Sequence, residues 1–317
     1  MLSKLRAAFL ASILLFAAGS ACAQDFPGKL VRIVIPFSLG GSNDLSARVL
    51  LPHLTERWKQ QVVIEPRVGA DSTVGTDHVA RSAPDGHTML YTSTQFAYAP
   101  TTFAKLSYDP LNDLVPVTLV IVSPQMIFAH PSLPVNTPKE LVALARARPG
   151  ELTMGTPGNT LPAHFFFSSA RVKITPVPYK GAGPLQIDVM GGHVPLGISA
   201  ISSVLGTVRT GRVKVIGVCS PERTPLYPDA PPMAEAAPGF QAVAWFGMFV
   251  PRGTPPAVVK RIRDDVADVL KIPDVRKRMN EVGGEPNGMP SEDFAKWVRS
   301  EIERWNKVAK AAGIKPQ

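Results

Sequence analysis

Short apolar runs alternate with amphipathic stretches along the first part of the chain. Val31–Pro36 is predicted to form a buried strand, and apolar residues recur at helical spacing across 44–58. Two further strands, Val62–Glu65 and Met89–Tyr91, flank a helical stretch near Val74–Ser82. This βαβαβ order predicts an α/β fold, because parallel strands are joined through crossover helices.

A second series with the same alternation follows. A helix opens after Thr137, where a capping box places Pro138 at the first helical position and Glu140 at the third. The elements predicted after this helix are the strands Leu152–Gly155, Thr175–Val177, Val194–Ile198 and Val213–Val218, and the helices that begin at His164, Pro184 and Ser203.

Two segments connect the series. The β-rich runs Val117–Ser123 and Met126–His130 surround Pro124, and six prolines make Pro221–Pro238 a stiff, irregular connection before a strand predicted at Trp245–Val250. Two amphipathic packing helices follow, and Ser291 is predicted to cap the second one.

This order predicts two lobes that the chain crosses twice. We place lobe 1 at 24–122 and 247–317 and lobe 2 at 123–246. Such an arrangement leaves a cleft between the lobes, where ligands usually bind.

The first 23 residues have the composition of a secretory signal peptide. Lys4 and Arg6 precede an apolar run, and the small residues Ala21 and Ala23 form a cleavage signal. The apolar run is too short for a membrane span, which needs roughly 20 residues. Cys22 leaves a lipid anchor as the lesser alternative, because Gly19 stands where a large aliphatic residue would be expected.

Charge and cysteine content exclude several classes of protein. The chain of 317 residues has a net charge of +9, and without residues 1–23 it has 32 bases and 25 acids, or +7. The bases are scattered among acids and are not interleaved with stacking aromatics, so nucleic-acid binding is not predicted. With Cys22 removed, Cys219 has no partner, and we interpret it as a buried small apolar residue.

Three loops offer groups that could hold an anion. The loop Pro36–Asp44 contains two consecutive glycines between a strand and a helix, so its amides and the helix N-terminus can bind a negative charge. Gly155–Thr160 has the same position in the other lobe, and Thr92–Gln95 offers hydroxyl and amide donors. A plain turn is the commoner role of a Gly-Gly loop. Two such loops facing each other could clamp one small anion.

Motifs for catalysis are absent from the sequence. The six histidines have no metal-binding spacing, and no nucleophile elbow or nucleotide-binding glycine motif occurs. His164 could line the cleft or could instead form a structural hydrogen bond near its helix end. Asp44 near a helix start is better interpreted as a cap than as a ligand contact. No cofactor or metal is predicted.

Five motifs resemble those of the Bug family, the extracytoplasmic solute receptors of tripartite tricarboxylate transporters. They cover essentially the whole chain after residue 23 and lie at Val31–Phe37 with Gly40–Asp44, Ala83–Thr88, Leu106–Pro110, Val177–Gly181 and Phe249–Pro255.

The resemblance implies a periplasmic-binding-protein fold of type II, with two crossovers, and a receptor that closes on a small organic carboxylate. It further implies delivery to a membrane permease with a large and a small subunit, and it assigns the ligand to main-chain groups of the first two loops. Together with the loop analysis, the ligand-binding residues predicted are Phe37, Ser38, Gly40, Gly41, Ser42 and Asp44 on one wall, Gly158, Asn159, Thr160 and His164 on the other, and Ser93 and Thr94 beside them.

The chain departs from the family pattern at several positions. Glu65–Ser72 stands where the family tends to have Glu-Asn-Arg-Pro-Gly-Ala-Gly-Gly, Pro195 replaces a usual Asp, and Ser199–Ser202 replaces a more polar stretch. Four aromatic residues near the loops suggest a ligand with an apolar or aromatic body, although core packing is the competing explanation; they are Phe96, Tyr98, Phe165 and Phe166.

Three functions are compatible with these features. A monomeric, non-catalytic periplasmic receptor for transport is favoured by the export signal and the paired anion loops. An orphan binding protein that serves a sensor kinase is the alternative, and an exported enzyme that uses the same cleft is a weaker one.

Overall fold

A computed structural model describes residues 26–316. The predicted signal peptide, with Cys22, lies outside the described residues. The strands are β1 Val31–Ile35, β2 Val62–Pro66, β3 Thr88–Ser93, β4 Leu114–Ala129, β5 Thr153–Pro157, β6 Thr175–Tyr179, β7 Leu196–Ala200, β8 Lys214–Val218, β9 Val243–Pro251 and β10 Glu285–Pro286. The helices are α1 Ser42–Trp58, α2 Thr73–Ala80, α3 Gln95–Thr102, α4 Pro138–Ala147, α5 Leu161–Ala170, α6 Ala182–Met190, α7 Ile201–Arg209, α8 Pro256–Lys271, α9 Pro273–Glu281 and α10 Ser291–Ala311.

One long strand joins the two halves of the mixed sheet. The strands follow the order β2-β1-β3-β9-β4-β7-β5-β6, and β8 and β10 also pair with β4. The first part of β4 pairs with β9, and residues 125–129 pair with β7. We call β1 to β3, β9, β10 and the helices on them half A, and β5 to β8 with their helices half B. The α/β prediction is confirmed, whereas the lobe boundaries at 123 and 246 stay a prediction.

Helices cover both faces of each half. In half A, α1 and α8 pack on one face through residues such as Leu50 and Ile262, and α3 and α10 pack on the other through Phe96 and Trp305. In half B, α4 and α5 cover one face, and α6 and α7 cover the opposite one. Each half therefore has three layers, and its strand ends point toward the junction between the halves.

Strand β4 is continuous where two separate β-rich runs were expected. Pro124 lies within β4 opposite Val243, where the ladder to β9 ends, and Gln125 begins the ladder to β7. Two shifts of register in the ladder to β9 lie nearer the start of the strand. A proline has no N–H to donate, but its carbonyl still accepts. The strand thus passes from half A into half B without a break.

Helix positions agree with the sequence patterns except at four sites. Thr137 caps α4 by accepting a hydrogen bond from the Glu140 amide at 3.2 Å, as predicted. The helix expected at His164 begins at Leu161 instead, where the Asn159 side chain accepts from the Leu161 amide at 2.7 Å. Ser291 does not cap α10, because its hydroxyl donates to the Val117 carbonyl. Helices α3 and α9 were not predicted.

Two further predictions concern Cys219 and membrane-spanning segments. Cys219 is buried in the core of half B, as expected, and burial raises the pKa of its thiol well above the usual value. Among residues 26–316, no helix combines the length and the apolar composition needed to cross a lipid bilayer.

Gly247 in β9 packs directly against the buried ring of Phe294 in half A. A Cβ atom at this position would lie 2.2 Å from Cζ of Phe294, which is fully buried. We expect Gly247→Ala to lower the free energy of unfolding by about 1–3 kcal/mol through overpacking. Urea unfolding followed by circular dichroism measures this change.

Gly206 provides the matched control. It lies inside α7 with nothing within 4 Å of an added Cβ. Gly206→Ala should therefore leave the stability unchanged or raise it by up to about 1 kcal/mol, since Ala favours helix. Equal losses in both variants would contradict the packing explanation.

Candidate functional site

A chamber of about 230 Å³ lies between the two halves. Its walls are the segments that follow the carboxyl ends of β1, β3, β5, β6 and β7, together with the parts of β4 and β9 that cross between the halves. Ligands of open α/β sheets bind at this edge of the strands. The lining residues are Phe37, Gly41, Ser42, Asn43, Ser93, Thr94, Gln95, Tyr98, Gln125, Thr156, Pro157, Asn159, Pro162, Gly181, Ala182, Ile198, Ser199, Ala200, Ser203, Ala244 and Phe246.

Half of the predicted ligand-binding residues line this chamber. The six that do so are Phe37, Gly41, Ser42, Ser93, Thr94 and Asn159. Ser38 and Gly158 line an adjoining compartment, and Gly40, Asp44, Thr160 and His164 line neither. The structure thus brings the three predicted loops together at one place.

Four helices begin at the chamber wall. The residues that precede their first turns, Gly41 for α1, Thr94 for α3, Gly181 for α6 and Ala200 for α7, all line the chamber. None of them caps its helix with a side-chain hydrogen bond. The first amides of a helix have no partner within it, and they carry the positive end of the helix dipole. The chamber therefore has a positive potential that comes from the backbone.

Among residues 26–316, none of those that line the chamber has a charged side chain. Its polar groups are hydroxyls and amides, and several of these are committed to one another. The Ser93 hydroxyl donates to Oε1 of Gln95, and Oγ1 of Thr94 accepts from the Trp245 amide at 3.0 Å. Hydrogen bonding inside the chamber thus fixes the start of α3 against strand β9.

Other polar atoms of the chamber wall have no partner within the described part of the chain. These are Oδ1 of Asn43, Oε1 of Gln125, Oγ1 of Thr156 and Oγ of Ser199. Buried polar groups in proteins are nearly always hydrogen-bonded, so a cluster of exceptions in one place indicates a site for polar partners. Asn43 and Thr156 lie within the two predicted glycine loops but were not among the residues assigned to the ligand. Gln125 and Ser199 were outside those loops, because β4 and β7 reach the chamber only through the crossing of the sheet.

Serine hydroxyls connect the two halves across the cleft. Oγ of Ser42 at the start of α1 lies 3.1 Å from Oγ of Ser203 in α7. Ser123 in β4 donates to the Gly283 carbonyl at 2.7 Å and contacts Oγ of Ser202 at 3.1 Å. The halves are therefore in contact both at the chamber and beside strand β4.

The Asp44 side chain binds groups at the start of its own helix and does not line the chamber. Its carboxylate accepts from the Gly40 amide at 2.8 Å and pairs with Nε of Arg48 at 2.9 Å. Burial alone would raise the pKa of this carboxyl, but the hydrogen bonds from Arg48 and Gly40 and the charge of Arg48 together lower it below the usual 3.8. These contacts fit the capping interpretation.

His164 and three of the four aromatic residues named from the sequence pack against other residues of the protein. His164 stacks edge-on against Phe167 at 5.8 Å, and burial lowers the pKa of its imidazole. Phe96 and Phe166 are fully buried in the cores of their halves, and Phe165 packs on Phe240 and Trp305. Of the four aromatic residues named from the sequence, Tyr98 lines the chamber, together with Phe37 and Phe246.

Comparison with known proteins identifies the family. The family described as tripartite tricarboxylate transporter family receptor, TctC, matches residues 46–314. Protein BugT of Bordetella pertussis is 31% identical over 300 residues, which cover 92% of each chain. The chain belongs to the TctC, or Bug, family of solute receptors, as the sequence motifs indicated.

Solved structures confirm the periplasmic-binding-protein fold. The protein Rpa4515 of R. palustris, solved with adipate, is 33% identical, with a TM-score of 0.84 over 92% of this chain and 100% of its own. MatC of Rhodopseudomonas palustris, solved with malate, is 31% identical, with a TM-score of 0.78 over 89% of this chain and 99% of its own. The periplasmic binding protein BugD is 30% identical, with a TM-score of 0.80 over 92% and 100%.

We expect Asp44→Asn to destabilise the protein without weakening ligand binding. Loss of the charge at the start of α1 should lower the free energy of unfolding by about 1 kcal/mol at pH 7. Because the folded pKa of Asp44 lies below 3.8, the advantage of the wild type is complete above that pH and is lost as the pH falls through the folded pKa. Urea unfolding at a series of pH values measures the difference.

Glu292→Gln is the control, since Glu292 is an exposed acid in the first turn of α10. It should change the stability by no more than about 0.5 kcal/mol. A variant Asp44→Asn that kept its stability but lost affinity for ligand would show that the carboxylate serves the chamber.

Proposed function

We propose that this protein is a non-catalytic periplasmic receptor that captures a small organic carboxylate in the chamber and delivers it to a tripartite tricarboxylate-type permease. The observation that carries the proposal is the chamber wall, where four helix N-termini meet and none of the described lining residues has a charged side chain. The predicted residues that line the chamber are proposed as its ligand contacts.

The electrostatics of the chamber favour an anion. Each helix N-terminus stabilises a nearby negative charge by about 0.3–1 kcal/mol at an exposed position, and by up to about 2 kcal/mol where the geometry is partly buried. Each hydrogen bond from an amide to a charged group adds about 1.5–3 kcal/mol. A carboxylate can accept several such bonds, so a few of them suffice for tight binding without any lysine or arginine.

The size of the chamber limits the ligand. At about 230 Å³ it lies below the range of roughly 300–1,000 Å³ that accommodates drug-sized ligands. Two related proteins were solved with adipate and with malate. Acids of this size are accordingly our first candidates for this protein.

The proposal also covers how the ligand is captured and in which compartment the protein acts. Ser42 and Ser203 meet across the cleft, so closure of the halves buries the ligand and completes the wall. Family membership and the leader expected at residues 1–23 support the periplasm as the location. We propose a monomer, with a permease of one large and one small subunit as its partner.

A ligand screen tests the function. We expect at least one acid among adipate, malate and related mono-, di- and tricarboxylates to raise the melting temperature and to be recovered unchanged. At a hundred times its dissociation constant, a ligand adds about 2.7 kcal/mol to stability. No response to any acid would refute the proposal, and chemical conversion of the bound acid would indicate an enzyme.

Gly41→Val tests the role of the first loop. Gly41 has φ −80° and ψ 173°, which any residue adopts, and the nearest atom to an added Cβ, the Ser38 carbonyl oxygen, is 3.5 Å away. The protein should therefore fold normally, while the valine side chain keeps the ligand from the amides at the start of α1. Loss of two charge-assisted hydrogen bonds corresponds to an affinity lower by about 100-fold or more, which isothermal titration calorimetry measures.

Gly206→Val is the matched control, because Gly206 lies outside the chamber and has open space around it. It should bind the same acid with the affinity of the wild type. Unchanged affinity in Gly41→Val would exclude the first loop as a ligand contact.

A further inference from the structure

The first turn of α7 is held on two sides by residues outside half B. Ser203 of this turn lies 3.1 Å from Ser42 of α1, measured between the two Oγ atoms, at the chamber. The preceding residue, Ser202, contacts strand β4 instead: its amide donates to Oγ of Ser123 at 3.2 Å, and the Oγ atoms of the two serines are 3.1 Å apart. The position of this helix start therefore depends on how the two halves meet.

Ser123 joins three elements through one hydroxyl. Its side chain is fully buried, and the hydroxyl donates to the Gly283 carbonyl at 2.7 Å and accepts from the Ser202 amide. Gly283 lies in half A, in the turn between α9 and β10. Because Ala200 at the cap position of α7 has no polar side chain, Ser123 takes the role of the N-cap. We call Ser123, Ser202 and Gly283 the hinge junction.

Gly283 allows a very close approach of the halves. A Cβ atom at this position would lie 2.4 Å from Cα and 2.6 Å from N of Ser202, and both are backbone atoms that cannot rotate away. Gly283 also has a φ of +79°, which glycine adopts without strain. Any side chain here would therefore push the start of α7 away from half A.

The two helices that meet at the hinge junction diverge from it. Beyond the junction lies a groove of about 470 Å³, lined by Leu205 and Arg209 of α7 and by Lys277 and Asn280 of α9, among others. Closely packed faces resist relative motion, whereas helices that touch at one end can rock about that contact. The hinge junction thus has the form of a pivot between the halves.

We infer that Gly283 and Ser123 are positioning residues for ligand capture, which set how far the halves close and where the first turn of α7 lies. Both lie outside the chamber lining and act through α7, whose cap residue Ala200 and whose Ser203 belong to that lining. The inference rests on the proposed function, since this helix start is one of the four proposed to bind the acid. A helix dipole acts only within about the first turn, so a displaced start of α7 contributes less to binding.

Gly283→Ala tests the hinge junction, and Gly150→Ala is its matched control. Gly150 has a φ of +85°, and an added Cβ would meet no described atom within 4 Å, so this variant has the same backbone strain without the clash. We expect Gly283→Ala to bind acid about tenfold or more weakly than Gly150→Ala, because only the molecules that can close bind tightly. Isothermal titration calorimetry with adipate, malate and the other acids of the ligand screen measures both affinities.

The separation of the halves is a second readout, which a purely structural role would not change. Spin labels on Val68→Cys in half A and Ile187→Cys in half B report it by double electron–electron resonance, since both positions are more than half exposed and Cys219 is buried. With and without acid, the mean distance between the labels should be longer in Gly283→Ala than in the wild type. In Gly150→Ala it should not change.

The outcomes separate this inference from the proposed function. If an acid binds the wild type and Gly283→Ala shows the same affinity and the same label distance, the inference is wrong and the proposed function stands. Weaker binding without a longer distance would assign the loss to another cause and also overturn the inference. If no acid binds the wild type, both fail.

Ser123→Ala removes the bridging hydroxyl without adding bulk. Thr118→Val is its control, because Thr118 is also fully buried in β4 and its hydroxyl donates to the Met289 carbonyl at 2.8 Å. Each variant loses one buried hydrogen bond and should melt at a lower temperature. Only Ser123→Ala should also bind acid several-fold more weakly and lengthen the label distance. Equal affinities in the two variants would remove Ser123 from the positioning residues.

Discussion

Backbone amides at the starts of four helices provide the partial positive charge of this site, and the rest of the structure holds these amides in place. A helix dipole acts only within about the first turn, so a useful potential requires several helix starts at one point. The sheet provides this arrangement, because parallel strands all deliver their following helices at the same edge. Amides also cannot be protonated or deprotonated in the physiological range, which makes the potential insensitive to pH.

Two buried carboxylates anchor the surrounding helices. Asp265 of α8 accepts hydrogen bonds from Trp58 Nε1 at 2.7 Å and Arg261 Nε at 2.6 Å, and Trp58 is the last residue of α1. In the same way, Glu301 of α10 accepts from the indoles of Trp245 and Trp305, each at 3.1 Å. Buried carboxylates are tolerated where donors surround them, and here they connect surface helices to the elements that line the chamber.

Several local features could be predicted from the sequence, and others could not. The capping box at Thr137 and the buried Cys219 depend on neighbouring residues and on hydropathy alone. Helix α3 was missed because it has only eight residues and Pro100 lies inside it, so its sequence shows no clear amphipathic period. Helix α5 was placed too late because the Asn159 side chain, and not a residue nearer His164, satisfies its first free amide.

The sequence by itself determined the alternation of strands and helices, the family, and the glycine loops that follow β1 and β5, because these follow from local periodicity and motif spacing. Only the tertiary structure decided that Gln125 and Ser199 share a wall with the first loop, and that Asp71 and Lys180 line the same adjoining compartment. Those residues are distant in the chain and meet because β4 runs through both halves of the sheet. Local sequence patterns cannot predict these contacts, since the contacts depend on the strand order and on how the two halves pack together.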